Sequence, residues 1–201
     1  MSPRARPDPA ARRDGLVTAA RRRFASQGVA GTTVSDIVRE AGVAQGTFYL
    51  YFASKDEIVI AVVEGVGDEL FNALATAVDR PGTSAVDAIR GMGSALGALA
   101  ADPAFVRLAT FLHLPENQAI HDRLSEHLLP RLVPLLESVI SRGIAEGDFE
   151  VPDTPAATWF VLGGLRSVEL AGTPIAQMPA ALDTACALAL RVLGYEGPDE
   201  R

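Results

Sequence analysis

Apolar residues recur along almost the whole chain at steps of three and four, and this spacing restricts the fold more than any other feature of the sequence. Leu16, Val17, Ala20 and Phe24 share one face of a first helix, and Val34, Ile37, Val38 and Ala41 repeat the i, i+3, i+4, i+7 pattern in a short second one. Strands need alternation at a step of two, and no segment shows it with any strength. The expected class is all-α. Helix punctuation agrees: Asp8 caps Pro9 at a first helical position, Gly28 stops that helix, Thr33 with Asp36 forms a capping box, and Gly42 closes the second helix. A third helix is predicted from about 44 to 51. A fourth starts at Ser54, with Glu57 completing another capping box, and runs to about Ala77 with Gly65 and Gly67 inside it.

Beyond Gly82 the spacing predicts four or five further helices, punctuated by Asp102-Pro103, Leu114-Pro115, Gly147-Asp148, Val151-Pro152 and Thr173-Pro174. Pro130 and Pro134 each remove a donor from the helix between about 116 and 146, so a kink or break is expected there. Residues 1–8, basic and rich in proline, read as a disordered arm.

Two short helices joined by Ala41-Gly42-Val43 have the length of a helix-turn-helix, since Gly42 can take the left-handed conformation. Ile37, Val38, Phe48 and Phe52 would face Leu16 and Phe24. That leaves Gln45, Gly46, Thr47, Tyr49 and Tyr51 on the exposed sides of the third helix, which would enter a major groove. Gln45 suits a two-pronged bond to adenine, Gly46 a close backbone approach, and Thr47 a thymine methyl or a phosphate. Tyr49 and Tyr51 offer hydroxyls to phosphates. Lys55, the only lysine of the chain, lies in the first turn of the fourth helix, where an anion meets its ammonium and free backbone N–H groups. Thr32 and Thr33 are candidates for a similar contact at the start of the second helix.

The segment from Thr32 to Glu57, with Gly46-Thr47-Phe48-Tyr49, Tyr51-Phe52 and Ser54-Lys55, resembles the N-terminal domain of tetracycline-repressor-like (TetR-family) regulators. The likeness spans roughly residues 10 to 60. It implies an all-helical homodimer whose three N-terminal helices bind an operator in double-stranded DNA, whose fourth helix links them to a larger body, and whose last two helices dimerise. It also implies that a small-molecule effector entering the body releases the operator. Leu50 is a departure, because many members carry a polar residue there. The domains expected are therefore 9–55 for DNA binding and 56–201 for ligand binding and dimerisation, with a linker helix over about 54–78.

Charge is divided in the same way. The chain of 201 residues has a net charge of −7, but residues 1–55 hold nine Arg or Lys against four Asp or Glu, a net +5, and the remainder is −12. A basic module on an acidic body suits phosphate steering, although Arg12, Arg13 and Arg21 to Arg23 would equally serve to solvate a helix face. No apolar run approaches the length of a membrane span and no signal peptide opens the chain, so a soluble cytoplasmic protein without membrane contact is expected. Cys186, alone in an apolar pattern, reads as a core residue.

In the last two helices, Phe160, Gly163, Gly164 and Ser167 make one stripe and Leu182, Ala185 and Ala189 another. Other faces are apolar too. Such helices need covering on two sides, and a second copy of the chain in a four-helix interface is the expected cover. An effector pocket would lie between helices, with Met92 and Leu96 from the fifth helix, Phe105, Leu108 and Phe111 from the sixth, and Trp159, Leu162 and Arg166 from the eighth as candidate walls. Arg166 would orient a polar ligand or pair with Glu169. His113, His121 and His127 stand eight and six apart, which does not put them on one helix face, so neither a metal nor a cofactor is expected. No nucleophile–base pair, phosphate loop or metal signature points to an enzyme. The alternative is a helical small-molecule-binding protein or enzyme whose N-terminal domain serves for docking. Gly65 and Gly67 would be the soft point through which a ligand shifts the fourth helix, or would make room for close packing.

Overall fold

A computed structural model describes residues 8–171, 173–174 and 177–197, with side chains for all of these but 169 and 170. The expected arm therefore lies outside the described residues apart from Asp8, and the side chain of Glu169, the partner suggested for Arg166, lies outside the described side chains. The described residues form α1 (Pro9–Gln27), α2 (Val34–Ala41), α3 (Gln45–Tyr49), α4 (Lys55–Val78), α5 (Ala85–Ala100), α6 (Pro103–Leu112), α7 (Gln118–Glu146), α8 (Thr154–Leu170) and α9 (Met178–Val192), with one 3-10 turn at Pro115–Asn117 and no strand.

Two compact units share these helices. The first comprises 8–66 and 107–124, the second 67–106 and 125–197. The first unit is thus larger than the expected 9–55 domain, because the opening turns of α4 are part of its core. Ile58, Val59, Val62 and Val63 pack there with Leu16, Phe24, Ile37, Phe48 and Phe52, and the end of α6 adds Leu108 and Leu112. Three short helices cannot bury enough apolar surface alone, and the added residues supply it.

In the second unit α5 and α8 both pack on α9. Its core gathers Leu74, Ile89, Met92, Leu136, Val139, Ile140, Phe149, Val161, Leu190 and Leu193. Glycine permits two close approaches in it: a side-chain carbon at Gly93 would overlap the sulfur of Cys186, and one at Gly143 would overlap the ring of Phe149. Cys186 is buried, as its apolar surroundings require, and burial raises its thiol pKa.

One expectation about helices is corrected and one is narrowed. α3 is shorter than predicted because its end tightens: Leu50 and Tyr51 donate three residues back, to the carbonyls of Thr47 (3.3 Å) and Phe48 (3.0 Å). α7 is not broken at its prolines, since it runs as one helix through Pro130 and Pro134. Both prolines are exposed, as is Glu126 four residues before the first. The carbonyls that lose their donors, on Glu126 and Pro130, thus lie on one solvent-facing strip where water replaces the bond.

Candidate nucleic-acid interface

Local caps set the geometry of the first unit. The Thr33 hydroxyl accepts from the Asp36 N–H (3.2 Å) and donates to the Asp36 carboxylate (2.6 Å), which also accepts from the Thr33 N–H (3.0 Å). These bonds, with the Thr33 side chain first and Arg39 adding its charge, hold the Asp36 carboxyl below the usual carboxylate range. At the other end of α2, Gly42 adopts φ 67° and ψ 32°, a left-handed conformation that side chains resist, and Val43 donates back to the Val38 carbonyl at 3.0 Å. The chain is turned there into α3.

α1 is pinned to α2 by Glu40, which takes Arg22 Nε at 2.9 Å and Arg23 at 3.3 Å. Arg13 lies over the Phe52 ring, 5.2 Å from its centroid. Part of the basic surface read from the sequence is therefore spent holding the domain together.

α3 is anchored by one side chain. Phe48 is fully buried, with Tyr49 edge-on at 5.3 Å and Phe52 at 5.6 Å between ring centroids. With Phe48 inward, the helical period turns Gln45, Gly46, Tyr49 and Leu50 outward, and all four are exposed. Tyr51 and Lys55 are half-buried, and Thr33 is exposed. Thr47 is half-buried in an open hollow of about 440 Å³ that it shares with Arg12 and Gly15. Thr32 departs from expectation: it is 1% exposed, its hydroxyl donates to the Gly28 carbonyl at 2.7 Å and its N–H to Val29, so it has no polar group to offer a phosphate. α4 opens with Glu57 accepting from the Ala53 N–H (2.6 Å) while its own N–H meets the Ser54 hydroxyl (3.3 Å), a capping box displaced by one residue.

The residues proposed from sequence as effector walls are divided between the two units. Met92, Leu96 and Leu162 belong to the apolar cluster of the second unit, where Phe105 is also half-buried, whereas Leu108 and Phe111 belong to that of the first. Trp159 is 53% exposed and Arg166 is exposed, so both face outward on α8 and line no interior. Of the residues expected at a dimer interface, Phe160 (66% exposed), Gly163, Gly164 and Ser167 are exposed on α8. On α9 the expected stripe turns inward instead: Leu182 and Ala189 are buried within the protomer and Ala185 is half-buried, while Leu188 and Val192 are exposed. A helix apolar nearly all round shows several stripes, and spacing alone does not say which one meets its own core.

One cluster escaped sequence reasoning. Asp68 on α4 accepts from His127 Nε2 of α7 at 2.9 Å and from Arg131, whose guanidinium lies 4.0 Å from the Phe71 ring centroid. Hydrogen bonds from His127 first and Arg131 second lower the Asp68 pKa. His127 and Arg131 are an i, i+4 pair, visible in the sequence, but their partner is 59 and 63 residues away, respectively.

A short helix fixed by one aromatic, reached through a glycine-centred turn and showing a free outer face, defines a helix-turn-helix domain of the DNA-binding class. Residues 16–62 match the family model described as bacterial regulatory proteins, tetR family. That match takes in 47 of the 201 residues, all of them in the first unit. The chain is 36% identical over 92 residues to the HTH-type transcriptional repressor KstR2 of Mycolicibacterium smegmatis, covering 46% of this chain and 44% of that protein. The chain thus spans less than half the length of that relative. To the fatty acid metabolism regulator protein of Bacillus subtilis it is 25% identical over 136 residues, covering 67% of this chain and 69% of that one. Among solved structures it resembles the transcriptional regulator FadR from Bacillus subtilis in complex with stearoyl-CoA, with a TM-score of 0.69, 22% identity, and coverage of 88% of this chain and 97% of that one. Among the described residues no single helix is long and apolar enough to cross a membrane.

Proposed function

We propose that this chain is a transcriptional repressor that binds operator DNA as a homodimer and leaves it when a small-molecule effector enters the helical body. The observation that carries the reading is the outer face of α3, left free because Phe48 takes the inner one. Gln45 and Gly46 meet base edges there, Tyr49 and Tyr51 meet phosphates, and Lys55 meets a phosphate at the start of α4, with Thr33 beside the start of α2.

The homodimer rests on apolar surface that a single protomer leaves to water: Trp159 and Phe160 on α8, and Leu188 and Val192 on α9. For the effector, a fatty acyl thioester is the first class to test, since the similar Bacillus subtilis protein is a fatty acid metabolism regulator and the similar Bacillus subtilis FadR structure holds stearoyl-CoA. Met92, Leu96 and Leu162 supply apolar wall for an acyl chain in the second unit. α4 carries the signal at Gly65, where a side-chain carbon would meet nothing within 4 Å, so packing does not require a glycine and a soft helix is its effect.

Selecting bound duplexes from a random-sequence pool tests this directly, followed by challenge of the complex with stearoyl-CoA and with stearate. A near-palindromic site released by the thioester is the expected result. A pool that enriches no sequence contradicts the DNA-binding reading, and a complex indifferent to both compounds contradicts the acyl effector.

A further inference from the structure

Leu50 is 79% exposed, more than any other large apolar side chain among the described residues. Its backbone, at φ −75° and ψ −21°, still follows the right-handed path of α3, which puts Leu50 on the same side as the residue four positions earlier. That residue is Gly46. A side-chain carbon at Gly46 would meet nothing within 4 Å, and the stretch of surface between Gly46 and Leu50 is therefore open backbone with an apolar rim. Gln45 and Tyr49, both exposed, lie on the same outer side.

Leucine has no atom that can bond a phosphate or the polar edge of a base. In a major groove the one apolar group a duplex displays is the 5-methyl of thymine. Thr47, the other candidate for that contact, is half-buried in the hollow beside Arg12 and Gly15. We propose that Leu50, on the same exposed side as the bare backbone of Gly46, reads a thymine methyl and so determines part of the operator sequence. The proposal rests on the reading that α3 enters the major groove.

The test uses the full chain and the duplex selected as above, with each thymine replaced in turn by deoxyuridine, which removes only the methyl. The wild-type protein is expected to lose about three- to fivefold in affinity at one thymine, or at two related by the symmetry of the site. Leu50→Ala and Leu50→Gln are expected to bind the thymine and deoxyuridine duplexes equally well. Both changes fall on an exposed side chain, and an unchanged melting curve verifies that the domain stays folded. Gly46→Ala, which fills the notch without a clash inside the chain, is expected to lose the same discrimination. Wild-type indifference to every replacement overturns the proposal, as does discrimination that persists in both Leu50 variants. Failure to select any duplex overturns the DNA-binding reading and this inference together, whereas selection with indifference overturns this inference alone.

Discussion

Phe48 and Tyr49 are neighbours in the sequence with opposite tasks, one wholly buried and the other 55% exposed. Removing the Phe48 ring is expected to cost about 3–5 kcal/mol in stability, because the packed core around it cannot close the cavity. The outer residues divide by the chemistry they reach. Tyr49→Phe and Lys55→Ala are expected to weaken binding to every duplex, and Lys55→Ala to lower the salt slope by about one, since phosphates carry no sequence. Gln45→Ala is expected to change sequence preference, costing about 1–3 kcal/mol at the base pair it contacts. Titrating each variant against cognate and scrambled duplexes at several salt concentrations separates the two outcomes. Equal loss of discrimination in all three variants would contradict the assignment. Most of this was legible in the sequence: with a period of 3.6, placing Phe48 and Phe52 in the core leaves Gln45 and Tyr49 little choice of side. Thr32 was not legible, because its burial depends on the Gly28 carbonyl reached by the turn between α1 and α2.

At the scale of elements, the bonds between Asp68 and the α7 pair His127 and Arg131 tie α4 to α7 within the second unit. Because the Asp68 pKa is lowered in the folded chain, the contact contributes its full stability above the ordinary carboxylate range. That contribution disappears as the pH falls through the lowered value. Thermal melts of wild type and Asp68→Asn between about pH 5 and pH 2 are expected to converge towards the acid end, with the variant less stable at the upper end. The difference is modest, since the Asp68 side chain is 49% exposed and water screens it. Parallel curves across the whole range would mean that the carboxylate contributes nothing. Helix ends such as Thr33, Asp36 and Gly42 were readable because a cap is built from residues within one turn of each other. The α4–α7 tie was not, because its partners meet only once the fold exists. α9 failed for a third reason: Leu182, Ala189, Leu188 and Val192 are all apolar, and only packing decides that the first two go inward.

For the whole molecule, the central question is whether two copies present their α3 helices together. Phe160→Glu and Leu188→Glu place charge on exposed apolar positions, so the protomer should keep its fold while self-association weakens by tenfold or more. Sedimentation equilibrium at several concentrations reads this, and a variant as strongly associated as the wild type would move the interface elsewhere. The net charge of +5 on residues 1–55, against −12 on the remainder, favours docking on phosphates through the N-terminal residues. Hydroxyl-radical footprinting of the wild-type protein on its selected duplex tests the account most directly. Two protected patches on one face of the duplex, centred about 34–36 Å apart or somewhat more, on a near-palindromic sequence, are predicted. A single patch, or protection without sequence preference, would contradict a paired helix-turn-helix reader.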